Sequence, residues 1–500
     1  MEILTKTYRK KITGTLSCFD RVILTGTIPQ ICYSQGMTSY LYSQGIRIFD
    51  YAKFAEPLKE TIRSNAEQLA KENDIEIEFV RKTHIRKEDL VKKVLTKRGT
   101  HTGLVHIISA METCGSYRPW HEKQTGKTFL KGSQSKCLHY YFYFIDPYLG
   151  YGYIRVPSWC PFKLQVYING HNIIANQLSK EKIKYTMLDN AFDYIEDLEK
   201  AQEISDNLDI KKIHKRLDEL AKKYCPVYQS FNQVYHWSIM QAEYATDIIF
   251  KKQEHLQSIY SELTATAIHT VKPDNIATFL GHKVDPRYKG EIGNNYNIRI
   301  QGSRIKHTMG KSSIKMYDKF SKILRIETTT NDVSFFKHYR EVEHRNGTKT
   351  MEYASLKKNI YSLRLLALLL KSSNKRYLEF ISAFDNKEAG RKRLDKVTKS
   401  KRENNRNYKG FNLFCDADIS LLLTVLRGEY NIFGFRNKDI RMRLPFNSGK
   451  ISRLIKRLKV FGLIKKAGNT YKYYLTKLGK ELVITAEKLK ETVLIPSLNY

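Results

Sequence analysis

The chain has 500 residues, room for about three domains. Its 86 Lys and Arg against 51 Asp and Glu leave a net charge of +35, which calls for a polyanionic partner, chiefly nucleic acid. A hydrophobic share of 41% excludes a disordered chain, and no apolar run approaches the roughly 20 residues that span a bilayer, so no membrane partner is expected.

In chain order, the fold class expected is α+β and multidomain. Residues 1–178 read as a mixed α/β body. Phe19 to Ile28, Ile75 to Val80 and Leu104 to Ser109 suit strands, while Pro57 to Lys71 and Lys87 to Leu95 suit helices. A tyrosine-rich hairpin follows, His139 to Phe144 and Tyr151 to Val156 about a turn at Asp146 to Gly150; Phe162 to Ile168 adds a strand. Residues 179–275 read as a helical segment, including Ile210 to Lys223 and Gln253 to Thr266. Within it Glu243 and Asp247 fall four residues apart on one helical face, a metal or basic-partner candidate set against a solvated acidic edge.

Residues 276–390 read as a basic β-rich domain with a helix. The runs NIRIQ, SIKMYDK and ILRIETT alternate, so Ile314 and Met316 oppose Lys315, Tyr317 and Lys319, and Leu324 and Ile326 oppose Arg325 and Glu327. With Arg304 and Lys306, the cations Lys315, Lys319 and Arg325 can follow a phosphate backbone, and Tyr296 or Tyr317 can stack on bases. Tyr361 to Leu370 is an apolar helix, buried or dimer-forming, which leaves a homodimer open. Residues 391–412 are a cationic linker: from Arg391 to Gly410 nine Lys and Arg stand against two acids, too polar for a core.

Residues 413–484 carry the clearest pattern. Ile451, Leu454, Ile455, Leu458 and Phe461 recur at the spacing of one buried helical face, with Lys450, Ser452, Arg453, Lys456 and Arg457 outside it. Asn437 can cap a short preceding helix, Pro445 to Gly449 supplies a turn, and Leu463–Ile464 and Tyr471 to Leu475 flank a basic turn holding Lys465 and Lys466. This order of helices and hairpin, carried by KISRLIKRLKVFGLIKKAGNTYKYYLT, resembles the winged helix-turn-helix regulators of the MarR-like kind. The resemblance implies DNA as partner, with Lys450, Ser452, Arg453 and Arg457 at bases or adjacent phosphates and Lys465, Lys466 and Lys472 on the wing at phosphates.

SSIKMYDKFSKILRIETT also resembles a segment of rolling-circle replication initiators. That likeness implies Tyr317 as nucleophile and Glu327 as ligand of a divalent metal such as magnesium. A nicking site would need further carboxylates at Glu327, the candidates being Asp20, Glu112, Asp146, Glu243 and Asp247. Arg21 and Arg118 offer Asp20 and Glu112 plain salt bridges instead. No Walker loop, GxGxxG, HExxH or GxSxG is present. The leading expectation is sequence-preferring DNA binding, in transcription regulation or for a mobile element or replicon, by a cytoplasmic, nucleoid-associated protein. A metal-dependent DNA-nicking endonuclease and an RNA-binding component of a ribonucleoprotein remain open beside it.

Overall fold

The structure is a computed structural model, which describes residues 2–81, 84–99, 101–284, 288–299, 302–382, 396–412 and 415–489. It is mixed α/β and divides into two compact units that do not follow the chain in blocks. One comprises Met1–Ser17, Ala245–Thr330 and Leu368–Tyr500; the other, Cys18–Tyr244 and Asn331–Ala367. We call them the C-terminal and N-terminal units.

In the first half of the chain the strands are β1 (Ile12–Thr27), β2 (Ile77–Phe79), β3 (Gly103–Glu122), β4 (Lys127–Asp146), β5 (Gly150–Pro157) and β6 (Leu164–Ile168). A small hairpin, β7 (Tyr185–Met187) with β8 (Phe192–Ile195), precedes the long strand β9 (His236–Phe250). Then come β10 (Ile292–Arg299), β11 (Gly302–Met309), β12 (Ser312–Lys319) and β13 (Ile323–Thr330).

The N-terminal unit holds strands in the order β9-β1-β6-β5-β4-β3-β2. β2 joins parallel to β3, and β3 through β6 and β6 with β1 pair antiparallel. Both faces are covered, because side chains alternate and both alternating sets of β4 are apolar or aromatic. Phe142 and Phe144 stack on Tyr224 of the helix Ile210–Tyr224, whose start is capped by Asp209. On the opposite face Tyr141 and Tyr143 cluster with Val91 of the helix Lys87–Arg98.

In the C-terminal unit the order is β10-β11-β12-β13-β9-β1. Ile305, Ile314, Met316, Leu324 and Ile326 are all buried there. His307 of β11 and Phe279 of the helix Pro273–Phe279 pack on Tyr377 of the helix Leu363–Ser382, and Thr328 of β13 donates to Asn374 of that helix. A second core joins Leu421, Leu422, Ile440, Ile451, Ile455, Leu458 and Leu463. It is built by the helices Asp416–Leu426, Asn437–Arg441 and Ser448–Val460 and by a hairpin of Ile464–Lys466 with Tyr473–Leu475.

Three expectations need correction. The segment 179–275 is not wholly helical: Gln241 to Asp247 lie in β9, where burial of Trp237, Ile239 and Tyr244 follows sheet packing rather than a helical stripe. Spacing of four also returns to one face of a strand, so the acidic pair did not discriminate between periods. The two compact units also divide at places other than 178, 275 and 390, near residues 17, 244, 330 and 367, and β1 and β9 each supply residues to both. Finally, the described part of the cationic tract is ordered. Lys401–Glu403 pairs with Arg406–Tyr408 about Asn404 and Asn405, both at positive φ as a tight hairpin turn requires, and Val397 and Phe411 enter the second core. Residues 391–395 of that tract lie outside the described residues.

Candidate nucleic-acid interface

The helix Ser448–Val460 starts on Asn447, whose side chain accepts from the backbone N–H of Lys450 at 2.9 Å, and Gly462 follows its end at φ +69°. Ile451, Ile455 and Leu458 turn into the core. Lys450, Ser452, Arg453, Lys456 and Lys459 are exposed. Asn437 donates to the Ser452 hydroxyl at 2.7 Å and to the Ser448 carbonyl at 3.1 Å, tying the preceding short helix to the first turn of the basic one. Lys450 lies 3.7 Å from the ring centroid of Phe446. On the hairpin Lys465 and Lys466 are exposed, Lys472 is half-buried, and Tyr471 is 80% exposed with Lys466 over its ring.

Arg457 departs from its expected place. Its guanidinium grips Asp418 at 2.7 and 2.9 Å, donates to the carbonyls of Lys409 and Gly410, and lies 4.0 Å from the Phe411 ring centroid. Both side chains of the ion pair are at most 16% exposed. Arg457 is therefore committed to the fold, not to a phosphate. The helical pattern put it beside the cationic stripe, while the acidic partner comes from a helix 39 residues earlier.

The basic sheet is altered in the same way. Arg325 is fully buried and holds Asp247 through two contacts of 2.6 Å, which removes both from the expected phosphate and metal sets. Lys315 stands directly across from Glu327 and binds it at 2.5 Å. Tyr317 donates to the other oxygen of Glu327 at 2.7 Å, and Thr329 donates at 3.3 Å. Burial would raise the Glu327 pKa, but the charge and hydrogen bond of Lys315, with Arg325 and Tyr317, outweigh it and hold the carboxyl below its ordinary range. The alternation that separates these residues from Ile314 and Met316 is present, yet Arg325 and Glu327 are as buried as the apolar set. Arg304, Lys306 and Lys319 remain half-buried, with Lys319 over Phe320. Tyr296 is 44% exposed.

Two other carboxylates on the list are spent in the N-terminal unit. Glu112 accepts from Tyr141, Arg155 and Lys87 at 2.8–3.0 Å. Burial raises its pKa, but Lys87, Tyr141 and Arg155 together bring it down to about 2. Asp146 is held by Arg216 and by the backbone N–H groups of Tyr148 and Leu149. Asp20 and Glu243, on β1 and β9 of that unit, each offer a carboxylate oxygen within 4.8 Å of the other. Asp20 also accepts from Asn190 at 2.7 Å and faces His171 at 3.4 Å. Glu243 and Asp247 lie four residues apart along a strand, on the order of 13 Å, too far to share one ion. Arg21 lies over Tyr167 and Arg118 over Trp120.

Asn437 does not cap the short helix, whose N-cap is Arg436, and binds Ser448 and Ser452 instead. Asp418, the partner of Arg457, is the residue that local pattern missed, because the two meet only in the fold. Comparison of the sequence with protein-family models, and of the chain with curated proteins and solved structures, finds no match. Among the described residues no helix is long and apolar enough to cross a membrane.

Proposed function

We propose that the protein binds duplex DNA through its C-terminal segment, a winged helix-turn-helix in which Ser448–Val460 is the recognition helix and the 464–475 hairpin is the wing. The observation that carries this reading is the division of the basic helix: an apolar stripe inward, and Lys450, Arg453 and Lys456 exposed outward on a capped and tethered scaffold. Such a helix offers short polar and cationic side chains to base edges and flanking phosphates, and the lysines of the hairpin add backbone contacts. Transcription regulation, or service to a mobile element or replicon, is the role this binding would fill.

The test is fluorescence anisotropy of the full chain on a duplex selected from a random library, over a range of salt. Reversing Lys450, Arg453 and Lys456 to Glu is expected to weaken binding by roughly a hundredfold or more and to flatten the salt dependence. Unchanged affinity in that variant, or RNA bound as tightly as DNA by both proteins, would sink the proposal.

A second reading is metal-dependent strand nicking, favoured by the closeness of Asp20 and Glu243. Two carboxylates at that distance suit a divalent cation that polarises a phosphate. Magnesium added to the complex with supercoiled DNA distinguishes the readings: a nicked product, absent in Glu243→Gln, supports the enzyme, and intact DNA retires it.

A further inference from the structure

The N-terminal unit holds a partly open cavity of about 340 Å³ between one face of its sheet and the helix Lys87–Arg98. Its floor is aromatic. Tyr151 and Tyr153 project from β5 and Tyr167 from β6, and Tyr153 stacks on Tyr167 with ring centroids 5.4 Å apart and 18° between planes. The residues follow from register, since Tyr153 pairs with Tyr167 and strand alternation returns Tyr151 to the same face.

Two polar groups of this lining are shielded from solvent and lack a hydrogen-bond partner among the described residues: the Tyr151 hydroxyl and Arg21 Nε. Buried polar atoms of a folded protein nearly always have a partner, so two at one cavity point to a ligand that supplies them. Asn172 donates its amide to the Tyr151 carbonyl at 3.0 Å, which fixes the side chain and assigns its Oδ1 as an acceptor. Burial raises the pKa of all three tyrosines, so they stay neutral donors at physiological pH.

The charge balance narrows the ligand. Arg21 and Lys92 are matched in number by Glu88 and Asp189, and Lys92 already binds Asp189 at 3.0 Å. A phosphate therefore gains little net attraction here. A cationic ligand gains nothing from the same balance, and Arg21 at the cavity would repel it. A neutral planar ring with donors and acceptors on its edge satisfies every group. We propose that this cavity takes a single unstacked nucleobase from a single-stranded stretch of nucleic acid, its ring against the tyrosines and its edge read by Tyr151, Arg21 and Asn172. The volume sits at the lower end of small-ligand clefts, about 300–1,000 Å³, enough for one base and not for a run of them. The cavity shares no residue with the basic helix, so it would add a single-strand activity to duplex binding.

The experiment uses the full chain and a short single strand carrying the fluorescent base 2-aminopurine, beside the same strand with an abasic site at that position. The parent protein is expected to bind the base-bearing strand about ten-fold more tightly and to quench its fluorescence. Tyr151→Phe, which keeps the ring, should lose about five-fold of that preference, and Arg21→Gln a similar share, with unchanged thermal unfolding. Equal affinity for both strands, or a preference and quenching that survive both substitutions, would overturn the proposal. Arg453→Ala serves as the control: it is expected to lower duplex binding and leave the base-dependent preference intact, so failure of the recognition-helix reading is told apart from failure of this one.

Discussion

Arg453 and Arg457 sit one helical turn apart, and the structure separates them into a surface cation and an internal clamp. Arg457→Ala removes a bidentate pair with Asp418, two hydrogen bonds to the Lys409 and Gly410 carbonyls, and the contact with Phe411. Breaking a largely buried ion pair from one side leaves the other charge uncompensated, which costs about 3–5 kcal/mol. Residual exposure of both side chains and entry of water into the gap bring the expectation to the lower end, about 3 kcal/mol. In a compact unit of the size of the one that holds this pair, that lowers the melting temperature by roughly 6–12 °C. Arg453→Ala, on the exposed face, should move stability by less than about 0.5 kcal/mol. It should instead weaken duplex binding by about 1–2 kcal/mol and reduce the salt slope by about one. Circular-dichroism melts and anisotropy titrations of both variants supply the four numbers. The reasoning is refuted if Arg457→Ala melts with the parent while losing DNA affinity, since the guanidinium would then face the ligand and not the core.

The acid response of the N-terminal unit should carry the mark of Glu112. Its folded pKa, about 2, is depressed from the ordinary 4.5, so its contribution is fully present above about 4.5 and is lost as pH falls toward 2. The shift is worth at most about 3 kcal/mol, and Glu112→Gln should lower stability in urea melts at neutral pH while flattening the decline below pH 4.5. His307 behaves in the opposite chemical sense with the same direction. Its Nδ1–H donates to Asn294 at 2.7 Å and its Nε2 accepts from Tyr377 at 3.1 Å, so a neutral ring is fully satisfied. Burial lowers its pKa from 6.5 to about 3, and the unfolded chain binds a proton that the folded one does not across that window. Stability is therefore lost as pH falls from 6.5 toward 3, and nitrogen NMR should find this imidazole neutral at pH 5, protonated on Nδ1.

Local pattern determined much of the architecture. The tyrosine-rich hairpin, the strands at 19–28 and 312–330 and the basic helix with its apolar stripe all lie where period and turn chemistry place them, because each signal is complete within about a dozen residues. The same local signals yielded the list of surface cations and acids. What they could not yield is pairing. Asp247 meets Arg325, Asp418 meets Arg457, and Lys315 meets Glu327 only once strand order and helix packing are set, and these contacts turn expected phosphate or metal ligands into internal ion pairs. The long strand β9 was hidden for the same reason: a spacing of four suits a helix and a strand face alike, and only its place beside β1 selects the strand. The cavity under Lys87–Arg98 is likewise a product of three strands and a helix brought together from distant parts of the chain. Sequence thus determined which side chains are available, since composition and period are local properties. Tertiary structure decided which of them stay free, because burial and charge pairing act between residues that only the fold makes neighbours.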